Sequence, residues 1–262
     1  MKRYFLLYLN FLRFSFSKAM EFRLDLTFRI LMDIIYYLVN ILFFKVIYLH
    51  TPLLGGWTEE QMLVFVATYL LIDAINMTVF STNMWWLPFY INKGDLDYYL
   101  IRPVSPLFFL SLREFSASSF VNLLIALGFF AYTLATYSAP FGGLDLLLFV
   151  VLIVNGSLIY YCIQMLMILP TFWTHSAKGF IDLFYSLGMA MERPDRIYRG
   201  WLRILFTVLL PFALIASFPA RIFLEHLDWG TFLHLLGVTA VFWVLVSYVW
   251  KKGLANYSSA SS

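Results

Sequence analysis

Cysteine is almost absent: Cys162 stands alone in 262 residues, so no disulfide can form within the chain. It lies in an apolar run and reads as a buried, inert thiol. Charge is scarce too. Asp, Glu, Lys and Arg make up 13% of the residues, against about a quarter in an ordinary soluble domain. Phe115 to Leu144 contains none of them, and neither does Leu146 to Ala177. A membrane-spanning helix needs about 20 predominantly apolar residues, so these runs exclude a soluble fold. The short alternating segments of a β-barrel are missing. Catalytic signatures are missing as well. No Gly-x-x-x-x-Gly-Lys-Ser/Thr phosphate loop occurs, so the chain is not expected to bind ATP itself. His50, His175, His226 and His234 show no metal-ligand spacing, and there is no Gly-x-Ser-x-Gly elbow.

What remains is one all-α integral membrane domain, 1–262. The hydrophobic pattern predicts six transmembrane helices near 28–49, 62–82, 115–137, 146–169, 201–217 and 231–250. The start of the chain is basic and then apolar, but Asn10, Arg13 and Lys18 interrupt it and no small-residue cleavage site follows, so no signal peptide is expected. Phe5, Tyr8, Leu9, Leu12 and Phe16 recur at helical spacing opposite Arg3, Asn10, Arg13 and Ser17. Residues 1–27 are therefore read as an amphipathic interfacial helix. With six spans and a cytoplasmic N-terminus, only Lys45 and Arg221 among the basic residues fall outside, while Glu59, Glu60, Asp145, Glu225 and Asp228 gather there. Both termini are then cytoplasmic. The stretch Thr171 to Met191 is long enough to cross, but crossing would carry Arg193, Arg196, Arg199 and Arg203 outward. It is read instead as a cytoplasmic or interfacial helix ending before Pro194. The tail Ser258 to Ser262 reads as disordered. Trp85, Trp86, Trp201, Trp229 and Trp250 fall near span ends, as an interfacial aromatic belt does.

Three features could carry function. Gly94, Asp95, Leu96, Asp97, Tyr98, Tyr99, Leu100, Ile101, Arg102 and Pro103 form a polar island between apolar runs. Asp95 suits a helix N-cap, Leu96, Tyr99 and Leu100 share one helical face, and Pro103 ends the helix. Pro106 can open the next one. Pro211 breaks the fifth span with Pro219 just beyond it, which predicts a partly re-entrant element before the last span. Asp33 and Asp73 are intramembrane carboxylates. Arg29 lies one turn from Asp33, whereas Asp73, followed by Asn76, has no local partner. Asp73, Asn76, Pro211 and Pro219 are candidate substrate-path residues.

The loop Gly94, Leu96, Asp97, Leu100, Arg102, Pro103 resembles the Gly-x-Leu-Asp-x-x-Leu-x-Arg-Pro pattern of ABC transporter permeases of the type-2 exporter class. Arg193-Pro194-Asp195, the proline-bearing fifth span and the Trp-Lys-Lys-Gly-Leu ending are similar to the same family. The resemblance implies a permease with a cytoplasmic coupling helix in the inner (cytoplasmic) membrane, multi-pass. It implies a second permease, identical or homologous, as partner, and two separate ATPase subunits that hold the ATP and Mg. It implies no enzyme activity, cofactor or metal in this chain. Membrane lipid surrounds it, and no nucleic-acid partner is expected. The rival reading is an ion-coupled secondary transporter or membrane-embedded enzyme using Asp73. Against it, the two halves show no internal repeat.

Overall fold

The computed structural model describes residues 2–21, 23–225 and 229–257, so the expected disordered tail and Asp228 lie outside the described residues. Among the described residues every long element is a helix, and the sole β-bridge is an isolated one between Leu54 and Trp57. α1 (Lys2–Glu21) and α2 (Arg23–Tyr48) open the chain. α3 (Glu59–Asn76), a π turn (Met77–Ser81) and α4 (Thr82–Lys93) then form one rod, Glu59–Lys93. The short α5 (Asp97–Leu100) and α6 (Pro106–Leu112) follow. α7 (Ala117–Thr136) leads to α8 (Gly143–Ile168) and α9 (Thr171–Thr174), which together make a second rod. α10 (Lys178–Gly188), a 3-10 turn (Asp195–Ile197) and α11 (Trp201–Ile204) with its π turn (Leu205–Leu209) come next. α12 (Phe212–Leu224) and α13 (Trp229–Asn256) complete the fold.

Five stretches are long and apolar enough to cross a membrane: Leu24–Tyr48, Glu59–Lys93, Ala117–Thr136, Gly143–Thr174 and Trp229–Asn256. Local chemistry starts and stops them. Thr58 and Gln61 form a capping box at α3, with the Thr58 N–H donating to Gln61 Oε1 at 3.0 Å. Glu59 and Glu60 sit in its first turn, at the positive end of the helix dipole. Gly94, at φ 80°, ends α4 in the left-handed conformation that glycine adopts without strain. α3 is the centre of the bundle. Every residue from Val64 to Ala74 is buried, walled in by α2, α7, α8 and α12.

The last third departs from the sequence reading in two ways. The expected fifth span, 201–217, is not one helix. Trp201–Leu209 and Phe212–Leu224 meet at 85° across Leu210 and Pro211. Pro211 has no N–H to give, and Leu210 leaves helical geometry. The chain then folds back. Phe212 packs on Phe184 partway along the bundle, and α12 returns to Glu225, whose carboxylate accepts from Trp57 Nε1 at 3.2 Å.

The stretch expected to stay on one surface, 171–191, instead runs the length of the bundle beside the first rod. The His175 carbonyl accepts from Asn92 Nδ2 at 3.0 Å, Tyr185 stacks on Trp85, Glu192 accepts from Tyr69, and Arg196 lies over Trp57. Those partners step from one end of the rod to the loop at the other. Arg193 and Arg196 thus lie at the Trp57 end, and their charge, which argued against a crossing, is met there. Arg196 pairs with Glu225 at 2.5 Å, and Arg193 sits over the Phe43 ring. Beside them Asp195, almost wholly buried, accepts from Arg221 at 2.5 and 2.7 Å while its own N–H donates to Ser217 Oγ. Both described ends of the chain pack at the opposite end. Tyr4 meets Phe108 edge-on, and Tyr257 meets Phe172.

This path can be read by labelling, because the sole cysteine, Cys162, is fully buried. Pro52→Cys and Arg199→Cys should react with an impermeant maleimide from one side of the membrane, and Lys93→Cys from the other. Labelling of Arg199→Cys from the Lys93 side would refute the crossing at 178–192. Packing gives a second expectation. A Cβ on Gly156 would sit 2.6 Å from the Ile215 carbonyl oxygen, so α12 can lie this close to α8 only over a glycine. Gly156→Ala should destabilise the fold by roughly 1–3 kcal/mol, seen as a lower unfolding temperature in detergent. Gly128→Ala, which meets nothing within 4 Å, should leave it unchanged or higher.

Candidate functional site

Two regions bring the singled-out residues together. The first is a cavity of about 450 Å³ enclosed by α2, α3, α7, α8 and α10. Helical spacing builds its walls. Asp33, Tyr36 and Tyr37 share one face of α2, and Tyr69 and Asp73 lie one turn apart on α3. Asn122 enters from α7, Tyr160 from α8, and Phe184 and Tyr185 from α10. Glu192, just beyond α10, closes the ring.

Its hydrogen bonds are lopsided. The Tyr36 and Tyr69 hydroxyls share one bond at 2.5 Å, and each lies within 3.3 Å of Glu192 Oε1. Asn122 donates through Nδ2 to Asp33. Arg29, the expected partner of Asp33, pairs instead with Asp25 at 2.8 Å, where both side chains are exposed and the pair is easily solvated. Asp73 is only 8% exposed, yet among the described residues it has no hydrogen bond or ion pair. The Oδ1 of Asn122 is buried without a partner too. Three carboxylates line the cavity and no Lys, Arg or His does. Asn76 is buried beside this region but does not line the cavity, and its Nδ2 lacks a partner. Pro211 and Pro219 do not line it either: Pro211 marks the break before α12, and Pro219 lies buried inside that helix. Among the described residues no group of three His, Cys, Asp or Glu could hold a metal ion.

The second region is the loop between α4 and α6. After Gly94 the chain makes the single turn α5, beginning one residue later than Asp95 as N-cap implies, with Leu96 in the cap position. Ser105 caps α6 by accepting from the Phe108 N–H, and Pro106 takes its first turn. The face expected to dock on a partner is turned inward. Leu96 is fully buried and Tyr99 nearly so, in a cluster with Leu87, Phe109, Met165 and Trp250. Tyr99 packs with tilted rings against Tyr90 and Phe109, and its hydroxyl accepts from Arg113. Leu100 is half-buried against the same cluster. What faces out is Tyr98, 67% exposed, and Ile101, 80% exposed, with Arg102 and Pro103. Arg102 is held along the chain, donating through Nε to the Tyr98 carbonyl at 3.1 Å with its guanidinium over Phe109. Asp95 and Asp97 are half-exposed at the start of the turn.

Other segments brace this loop. α1 lies along residues 105–120, with Phe11 against Phe109, Ser15 Oγ accepting from the Phe115 N–H, and Lys18 paired with Glu114 at 3.6 Å. Phe5, Leu9 and Phe16 remain exposed on the outer side of α1. Tyr257, after α13, brings its hydroxyl to the Leu96–Asp97 turn. Burial first, and then the Asp97 charge, raise its pKa above the usual phenol value.

The sequence pointed to Asp73 and Asp33 but not to the cavity's other lining residues. Glu192 lies 123 residues from Tyr69. The local signal for the cavity was tyrosine and aspartate at three- and four-residue spacing on α2 and α3, which sequence reasoning passed over.

A family model described as an ABC-2 family transporter protein matches residues 34–261. No curated protein and no solved structure matches the chain. The match takes in the Gly94–Pro103 loop, every cavity residue but Asp33 and nearly all of the bundle after α1, and by it the chain belongs to the ABC-2 family of transporter proteins, as a multi-pass membrane permease.

Proposed function

We propose that this chain is the permease subunit of an ATP-binding cassette exporter. It pairs with a second permease, identical or homologous, and is driven by two separate ATPase subunits that carry ATP and Mg. The family match over residues 34–261 carries this reading. The loop end faces the cytoplasm of an inner membrane, with both termini there, and the Trp57 end faces outward. The loop Gly94–Pro103 supports the reading as a coupling element. Buried Leu96 and Tyr99 fix it to the bundle while Tyr98 and Ile101 stand exposed. An ATPase that grips this knob more tightly in one nucleotide state than in another would bias the permease between two conformations, as coupling requires.

The alternative, an ion-driven carrier, draws on the unpartnered Asp73. It predicts transport from an ion gradient with no ATPase present.

Two experiments test the proposal. The purified chain should hydrolyse no ATP, and hydrolysis should appear with its cassette subunit; robust turnover by the chain alone would refute the reading. The structure also moves the docking test outward. Ile101→Asp and Tyr98→Asp should weaken ATPase recovery by about tenfold or more, the effect of ~1.4 kcal/mol, at unchanged unfolding temperature. Leu96→Asp should unfold the loop end, because it buries an unpaired charge in the apolar cluster. Full ATPase recovery and full transport with Ile101→Asp would show that the loop is not the docking element.

A further inference from the structure

We propose that the cavity around Asp73 is a binding site for an amphiphilic organic cation, which makes such cations the substrate class of the permease. Charge is the first argument. Asp33, Asp73 and Glu192 line the cavity, and nothing basic does. The nearest cations are engaged elsewhere, Arg29 by Asp25 and Arg193 over the Phe43 ring. A second depression runs from Asp33 toward Arg29, whose guanidinium pairs with Asp25 rather than with a cavity carboxylate.

The second argument is the state of single groups rather than their summed charge. Asp73 is more than nine-tenths buried, faces the cavity and has no partner among the described residues. Asn122, 1% exposed, lines the cavity too, and its buried Oδ1 has no partner among the described residues. A buried carboxylate without a partner is costly, and a cation placed beside it removes the cost. Both groups ask for a positive or hydrogen-donating ligand.

The walls set the ligand's size and character. Tyr37, Tyr160 and Tyr185 add aromatic rings to the lining, and such rings attract cations through their quadrupole. At about 450 Å³ the space falls in the range of drug-sized pockets. A bare metal ion does not suit it, since no three of the described acidic, cysteine or histidine side chains converge on one point. Of the lining residues, Tyr36 on α2 and Met189 after α10 are exposed on the surface of the bundle. A lipid-soluble cation could enter there.

The ligand class rests on the permease reading, but the binding test does not need the ATPase. The full chain in neutral phosphatidylcholine nanodiscs is titrated with tetraphenylphosphonium, read by a selective electrode. Tetraphenylborate, of the same shape and opposite charge, is the comparison. Tetraphenylphosphonium should bind and tetraphenylborate should not. Asp73→Asn should weaken the cation by about tenfold or more. Tyr37→Leu should weaken it by a smaller factor, and the exposed Asp182→Asn should not change it. Unfolding temperatures are matched first, and if Asp73→Asn does not fold, Glu192→Gln replaces it. Equal binding of the two ions, or cation affinity unmoved by substitution of the cavity carboxylates, would overturn the proposal. A chain that binds the cation but recruits no ATPase would overturn the permease reading and leave this site standing.

Discussion

The structure depends on keeping lipid away from one helix. The first rod carries Thr68, Asp73, Asn76, Thr78, Ser81 and Asn83, all buried. In hydrocarbon such groups are expensive unless protein surrounds them. Part of the cost is met within the rod: Thr68 donates to the Val64 carbonyl and Thr78 to the Ala74 carbonyl. Asn83 ties the rod to the α6–α7 connection through the Glu114 backbone in both directions. The rest is met by enclosure. α2, α7 and α8 supply three walls, and α12 supplies the fourth. This gives the broken segment after α11 a structural reason: Pro211 turns the chain back so that a largely apolar helix, its Ser217 and Arg221 bonded to Asp195, can seal the rod from the Trp57 end.

The two ends of the bundle are held by different chemistry. At the loop end, aromatic and aliphatic packing dominates, with Phe172 wedged between Trp250 and Tyr257 and against Gly253, where a Cβ would meet the ring at 2.4 Å. At the Trp57 end, the chain relies on Asp195, Arg221, Arg196 and Glu225. A buried pair of this kind contributes little net energy but is costly to leave half-made, so it specifies how the fold-back segment seats more than how stable it is. Leu96 and Tyr99 share one apolar cluster with Leu87 and Ile91 of α4, so the loop is seated on the same rod that carries Asp73.

The sequence was most readable where one local property sufficed. Charge-free runs longer than a bilayer is thick announced the helices at 117–136 and 143–174, and Pro211 announced the break. The crossing at 178–192 was hidden because its regular part is short, its composition is mixed, and four arginines follow it. The partners of Arg193 and Arg196, which are Phe43, Trp57 and Glu225, come from three distant segments, so counting charge by position assigned these two to the wrong end. The loop shows the same limit at smaller scale. Helical spacing correctly grouped Leu96, Tyr99 and Leu100 on a face, but only Phe109, Met165 and Trp250 reveal that the chain itself covers that face. Asp73 stood out as an uncompensated carboxylate, while the cavity it faces needs side chains from five elements and could not be assembled from spacing alone.

The π turn at Met77–Ser81 lies between the cavity and the loop. It fits one more residue into a turn than an α-helix does. Each residue of an α-helix advances the face by about 100°, so the rod has a phase as well as a length. Removing one residue there would leave a helix able to span, cap and pack its first half as before. Its second half would present Trp85, Leu87 and Ile91 to the wrong neighbours, and Gly94 would launch the loop in another direction. The aim of the loop is therefore set by a single extra residue in the middle of a helix, some twenty residues before the element it points.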